Sequence, residues 1–144
     1  MINLIKRTTG WFLAAIAAVS FVGCQPGETM VHVEGQVKHE GKPLTTGIVI
    51  LHADEGKGNS SKHEPRGVIG TDGRFKVTTH PREGAPPGWY KIAVIAQERS
   101  NDPDNPYALP KSLLPDKFGK ADESGLAFEV RKDAPPGAYD LDLK

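Results

Sequence analysis

The chain has 144 residues, with 18 basic and 18 acidic side chains and a formal net charge of zero. It carries no basic run and no interleaving of aromatic with basic residues, which argues against a nucleic-acid partner. A single cysteine excludes an internal disulfide and a cysteine-cluster metal site.

Lys6 and Arg7 lie near the start of the chain and are followed by an apolar run, Trp11 to Val22, broken only by Ser20; Gly23 and Cys24 come next. A short basic region, a short apolar region and a small residue at the cut form the pattern of a secretory signal. The run is too short to span a bilayer, which takes ~20 residues. It is apolar all round, whereas a helix at the surface of a core is amphipathic. Phe21-Val22-Gly23-Cys24 resembles the lipobox of bacterial lipoproteins, with Phe21 where that pattern usually has Leu. The resemblance implies a signal helix over residues 1–23 that is cleaved, and a diacylglyceryl group on the Cys24 sulfur, since the thiolate is a strong nucleophile. Each buried CH₂ of such a lipid contributes ~0.8 kcal/mol of membrane affinity. Gln25, in place of the Asp that the family treats as an inner-membrane retention signal, implies outer-membrane sorting in a double-membraned cell. Processing would remove Lys6 and Arg7 and no acid, leaving 121 residues with 16 basic and 18 acidic groups, a charge of −2. That is one domain in size, long enough to stand on a hydrophobic core alone.

Residues 24–30 read as a tether, and 31–144 as the domain. Sixteen glycines and 12 prolines fall between short apolar runs, the signature of many short strands with defined turns. The first strand is expected near Met30–His39, with Val31, Val33, Gly35 and Val37 on the buried face. His39 to Leu44 is a turn, in which Pro43 is expected to block ladder pairing. Ile48-Val49-Ile50-Leu51, within a strand over Gly47–Ala53, is apolar on both faces, as for a central strand covered on both sides. Asp54 to Pro65 reads as a solvated, mobile loop. Arg66–Thr71 is a strand, Thr71-Asp72-Gly73 a hairpin turn, and Phe75, Val77 and Thr79 alternate inward after it. A loop over His80–Gly88 leads to a strand over Trp89–Gln97, with Tyr90, Ile92, Val94 and Ala96 on one face. Glu98 to Lys120 is long and proline-rich; its Tyr107, Leu109, Leu113, Leu114 and Phe118 are expected to pack down on the domain. Leu126–Val130 and Ala138–Leu143 are the last strands, with Tyr139, Leu141 and Leu143 inward and Asp140 and Asp142 outward. Ala-Pro-Pro-Gly occurs at 85–88 and 134–137 and reads as the same turn reached twice rather than a duplication.

Val33-Glu34-Gly35-Gln36-Val37, Gly41-Lys42-Pro43-Leu44 and Gly47-Ile48-Val49 resemble the opening of transthyretin-like and carboxypeptidase-regulatory-like domains. Thr71-Asp72-Gly73-Arg74-Phe75 and Pro87-Gly88-Trp89-Tyr90-Lys91-Ile92 resemble their hairpin and a later strand. Leu114-Pro115-Asp116-Lys117-Phe118 with Ser124-Gly125-Leu126 is similar to a feature of small bacterial lipoproteins of this type. The likeness runs over about residues 31–144 and implies an all-β, seven-stranded Greek-key β-sandwich. It implies little about function, because such sandwiches host many roles. The Tyr-Arg-Gly-Ser tail of the ureide hydrolases in this group is absent; this chain reads Asp140-Leu141-Asp142-Leu143-Lys144 there.

No catalytic constellation stands out. His32, His39, His52, His63 and His80 lack the tight spacing of a zinc site. His52 ends an apolar strand, within reach of another strand's carboxylate. Asn101-Asp102-Pro103-Asp104-Asn105 is oxygen-rich, as calcium prefers, but lacks EF-hand spacing, and its prolines read as turn residues. Ser60, Ser61 and Ser112 sit in no nucleophile elbow. Asp140 and Asp142 share a strand face that reads as solvated. Trp89, with Tyr90 beside it, is the candidate ligand contact, an aromatic handle for a sugar or a protein unless the proline-rich loop covers it. The expectation is a non-enzymatic module without cofactor or metal, held to the membrane through Cys24 and binding an envelope protein or glycan. A structural envelope assembly subunit and a small hydrolase are the alternatives.

Overall fold

The computed structural model describes residues 27–98, 105 and 108–144. The expected signal helix, Cys24, the Asn101–Asp104 portion of the oxygen-rich run and Tyr107 lie outside the described residues.

The described chain is all-β. Its strands are β1 (Glu34–His39), β2 (Lys42–Pro43), β3 (Ile48–Ala53), β4 (Arg66–Ile69), β5 (Arg74–Thr79), β6 (Arg82–Glu83), β7 (Gly88–Ile95), β8 (Gln97–Glu98), β9 (Lys111–Ser112), β10 (Ala127–Val130) and β11 (Leu141–Leu143). Short 3-10 turns occupy Glu55–Lys57 and Asp116–Gly119. The main sheet runs β10-β7-β3-β4-β5-β1-β11, with β2 on β1 and β6 on β5. All its pairs are antiparallel except β1 with β11, which is parallel. β8 and β9 form a separate ribbon. The seven longer strands fall within the segments that the sequence marks out as strands; the four two-residue strands have no period to read.

Alternation places the core as expected. Val33 and Val37 of the first strand segment, Phe75 and Val77 of β5, Tyr90, Ile92 and Val94 of β7, and Leu141 and Leu143 of β11 are all buried. Removing such side chains from water at roughly 25 cal/mol per Å² is the main driving force for this fold. Leu114 and Phe118 join the same core, so the segment after β9 does pack down, but Leu109 is 87% exposed and does not.

β1 changes neighbour along its length. Glu34, Gly35 and Gln36 face β5, while Val37, Lys38 and His39 face β11. The sheet curls between these pairings and brings its two ends together. The rings of Phe128 on β10 and Tyr139 before β11 are 5.0 Å apart. The Tyr139 hydroxyl accepts from Arg131 N at 3.3 Å and donates to Arg131 O at 3.2 Å. Gln36 N on β1 donates to Asp140 Oδ1 at 2.8 Å. Tyr139 crosses β1 at Gly35, where a Cβ would stand 2.4 Å from the Tyr139 carbonyl oxygen. At the Thr71–Gly73 hairpin, Gly73 takes φ +80, and Gly70 N donates to Arg74 O at 2.8 Å.

Several expectations are corrected. Pro43 does not stop pairing: β2 lies beside Lys38, and Leu44 N donates to Val37 O at 2.9 Å. β3 is central but covered on one face only; Val49 and Leu51 are buried, while Ile48 is 40% exposed. The Asp54–Pro65 loop is not merely solvated, since Asp54, Asn59 and Pro65 are buried. The two Ala-Pro-Pro-Gly runs differ. Ala85 and Pro86 are buried, with Ala85 bridging to Val31, whereas Pro135, Pro136 and Gly137 are exposed.

Candidate functional site

The outward face of the sheet carries an open groove, whose strand lining comes from β1, β3, β4 and β5. Strand register builds it rung by rung. Ile95 of β7 lies beside Ile48 of β3, Ile48 beside Val68 of β4, Val68 beside Lys76 of β5, and Lys76 beside Glu34 of β1. One line across five strands thus passes from aliphatic to cationic to acidic. Ile48 and Ile95 are each 40% exposed and Val68 is 74% exposed. A neighbouring rung sets Ile50 beside Arg66 and Arg66 beside Thr78; another sets Arg74 beside Gln36. With the Ala134–Asp140 turn as its far wall, this face encloses an open groove of about 1190 Å³. Arg66 is paired with Glu64, Arg74 lies 3.8 Å from Asp72, and Lys76 forms no ion pair among the described residues.

A smaller recess of about 520 Å³ lies between β3, β7 and the segment after the second 3-10 turn. There Lys91 Nζ is 2.7 Å from Asp122 Oδ1. The Asp122 carboxylate holds the Lys91 ammonium above its ordinary range, and the lysine holds the Asp122 carboxyl below its own.

The two aromatic residues singled out in the sequence part company. Adjacent positions on a strand point to opposite faces, and Tyr90 goes inward. It is fully buried, and its hydroxyl donates to Pro86 O at 2.9 Å. Burial pushes its phenol above the ordinary value, against the opposing effect of the nearby Asn59 and Ser61 side chains. As a surface ligand contact Tyr90 is therefore corrected to a core residue. Trp89 is half-buried on the outer face. Its carbonyl oxygen accepts from Asp54 N at 2.9 Å and from Asn59 Nδ2 at 2.8 Å, so the 54–59 turn is tied to the strand beneath it. Gly88 has φ +144, and a Cβ there would meet Asn59 Cγ at 2.9 Å, so glycine is required for this closure. Lys57 lies over the Trp89 ring, its Nζ 3.7 Å from the ring centroid. Sequence reasoning missed Lys57 and Asn59 because both fall in a polar loop without periodicity.

The polar candidates are dispersed. His52 Nδ1 lies 3.2 Å from Glu64 Oε1, a loop carboxylate rather than one on another strand. His32 is 3.3 Å from Glu34 and His63 3.3 Å from Glu28. Ser112 is spent on the Leu114 carbonyl at 2.7 Å, Asp140 on the β1 backbone, and Asp142 lies 3.4 Å from Lys144 Nζ. Among the described residues no three His, Cys, Asp or Glu side chains gather into a group that would hold a metal ion. Among them, too, no helix is long and apolar enough to cross a membrane. No protein-family model, curated protein or solved structure matches this chain.

Proposed function

We propose that this chain is a non-enzymatic, lipid-anchored module of the bacterial cell envelope that binds a protein or glycan partner. The observation that carries the reading is the open rung Ile95–Ile48–Val68–Lys76–Glu34, which gathers three of the four exposed large aliphatic side chains among the described residues. Burying them against a partner would recover the hydrophobic free energy that folding leaves unused. The finer fold assignment belongs to the same proposal. A seven-stranded Greek-key sandwich of transthyretin-like type is supported by the order of the seven longer strands and by β1 changing partner midway. The anchor is supported by Phe21-Val22-Gly23-Cys24, and sorting to the outer membrane by Gln25.

The test is capture of envelope partners by the full chain, compared with a Val68→Glu/Lys76→Glu variant. Both positions are exposed, but the variant sets carboxylates opposite one another and opposite Glu34, so a drop in melting temperature worth about 1 kcal/mol is expected. Loss of the captured partner at a temperature where circular dichroism shows both proteins folded is the expected result. Equal capture by both proteins would remove the groove from the function.

A further inference from the structure

We propose that the outer face of Trp89, together with Glu129, is a subsite for the guanidinium group of an arginine on a protein partner, and that Lys57 occupies it in the free protein. The inference rests on the partner-binding reading above and narrows the partner's chemistry.

Three observations build the subsite. First, the ring is presented by a fixed backbone. Two hydrogen bonds converge on the Trp89 carbonyl, one of them from the buried Asn59 side chain. A cation meeting this ring finds it already in place, which lowers the ordering cost of binding. Second, the cation now on the ring is the end of an exposed side chain. The Glu55–Lys57 turn has no buried residue and ends at Gly58 in the left-handed region. Lys57 can leave without unpacking anything. Third, a carboxylate beside the ring is unused. Glu129 is the cross-strand partner of Trp89. Ile92 N donates to Leu126 O, so the bonded rungs of this pair alternate through Tyr90–Phe128, and Trp89–Glu129 is a non-bonded rung. On such rungs side chains come closest, with Cβ atoms roughly 4.5–5.5 Å apart. Glu129 is half-buried and forms no ion pair among the described residues, so Lys57 engages the ring and not the acid.

An ammonium and a guanidinium differ at this point. A lysine offers a compact charge, whereas the flat guanidinium stacks on an indole and turns its N–H fork to a neighbouring carboxylate. Ring and carboxylate side by side on one rung fit the second geometry. Lys57 satisfies half of it and so behaves as a weak internal competitor.

The test follows Trp89 fluorescence in the full chain carrying Trp11→Phe, which leaves Trp89 as the sole tryptophan. The probes are N-acetyl-arginine amide, tetramethylammonium and a neutral disaccharide. Saturable quenching by the arginine probe is expected. Lys57→Ala should tighten it about two- to five-fold, the range of one exposed cation–π contact. Glu129→Gln should weaken the arginine probe more than tetramethylammonium. A Lys57→Ala protein that is silent to arginine overturns the proposal. So does a response confined to the disaccharide, which would make Trp89 a sugar platform. Equal effects of Glu129→Gln on both cations also overturn it. Unchanged circular dichroism in each variant keeps misfolding from imitating these outcomes. If arginine binding fails while the Val68→Glu/Lys76→Glu variant still loses its partner, only the subsite falls and the groove stands.

Discussion

Gly35→Ala places one methyl group where the Tyr139 backbone crosses β1. The added Cβ would sit 2.4 Å from the Tyr139 carbonyl oxygen, 2.8 Å from its carbonyl carbon and 3.1 Å from the Phe75 ring. Relief requires the Tyr139 backbone to retreat by close to an ångström. That backbone is held by the Phe128 ring at 5.0 Å, by the hydroxyl on Arg131 and by Asp140 on Gln36 N. Overpacking of this kind costs about 1–3 kcal/mol. A weakened Gln36–Asp140 bond adds about 1 kcal/mol. Alanine also narrows the unfolded ensemble, which returns about 0.4–1 kcal/mol. The net expectation is a loss of about 2 kcal/mol, read as a fall of about 1 M in the urea midpoint at an ordinary slope for a domain of this size. Gly119→Ala is the control, because its nearest neighbour, Ile95 Cγ1, is 4.0 Å from the new Cβ; it should stay within about 0.5 kcal/mol of the parent. A Gly35→Ala midpoint equal to that of the control, at unchanged slope, would refute the crossing as a point of close packing.

Tyr90→Phe deletes the buried hydroxyl bond to Pro86 O and should cost about 1 kcal/mol in denaturant melts; no loss would mean that the hydroxyl is spare. In the parent, the raised Tyr90 pKa means that its share of stability is present below the ordinary tyrosine range and is lost as pH rises. Its tyrosinate absorbance should therefore appear together with unfolding rather than before it. Lys91→Met should let the Asp122 carboxyl titrate back up toward its ordinary range, followed by carboxyl carbon NMR at low salt. With the Asp122 pKa depressed in the fold, that pair supports the fold above the ordinary carboxylate range and is lost as pH falls through the folded value; superimposable titrations of parent and variant would refute the coupling. Cys24→Ala should free the protein from membranes or block its processing, seen by fractionation. A variant that remains membrane-bound and normally processed would sink the lipoprotein reading.

How much of this was readable beforehand depends on the kind of contact. Phe75-Lys76-Val77 and Tyr90-Lys91-Ile92 announce their faces because a strand's period of two is local. Asp72-Gly73 announces its hairpin because glycine is needed at positive φ. Lys42–Pro43 and Arg82–Glu83 fold straight back on the strands before them, Gln97–Glu98 and Lys111–Ser112 pair with each other off the main sheet, and two residues carry no pattern. Ile48 and Ile50 read as doubly covered because apolar residues on both faces are what a covered strand shows; that Ile48 stays 40% exposed is a fact of topology. The groove is a product of register across four strands, and register between distant strands is not written in any one of them. Trp89 was legible as an aromatic beside a core tyrosine. Its partner Lys57 was not, since a lysine in a polar loop has no sequence mark that distinguishes it from its neighbours.

The parallel partnership of β1 with β11 has a bearing on when this chain can become folded. Gln36 and Asp140, which bond across it, are 104 positions apart. Until residues 139–143 have been synthesised, Gly35 has no Tyr139 over it, half of β1 has no neighbour on one side, and the Phe128 ring has no counterpart. Contacts of such long range are reached late and slowly. A nascent chain that stops short of these residues is therefore open strand rather than a finished domain. The latch that completes the structure engages only after the greater part of the chain has been made.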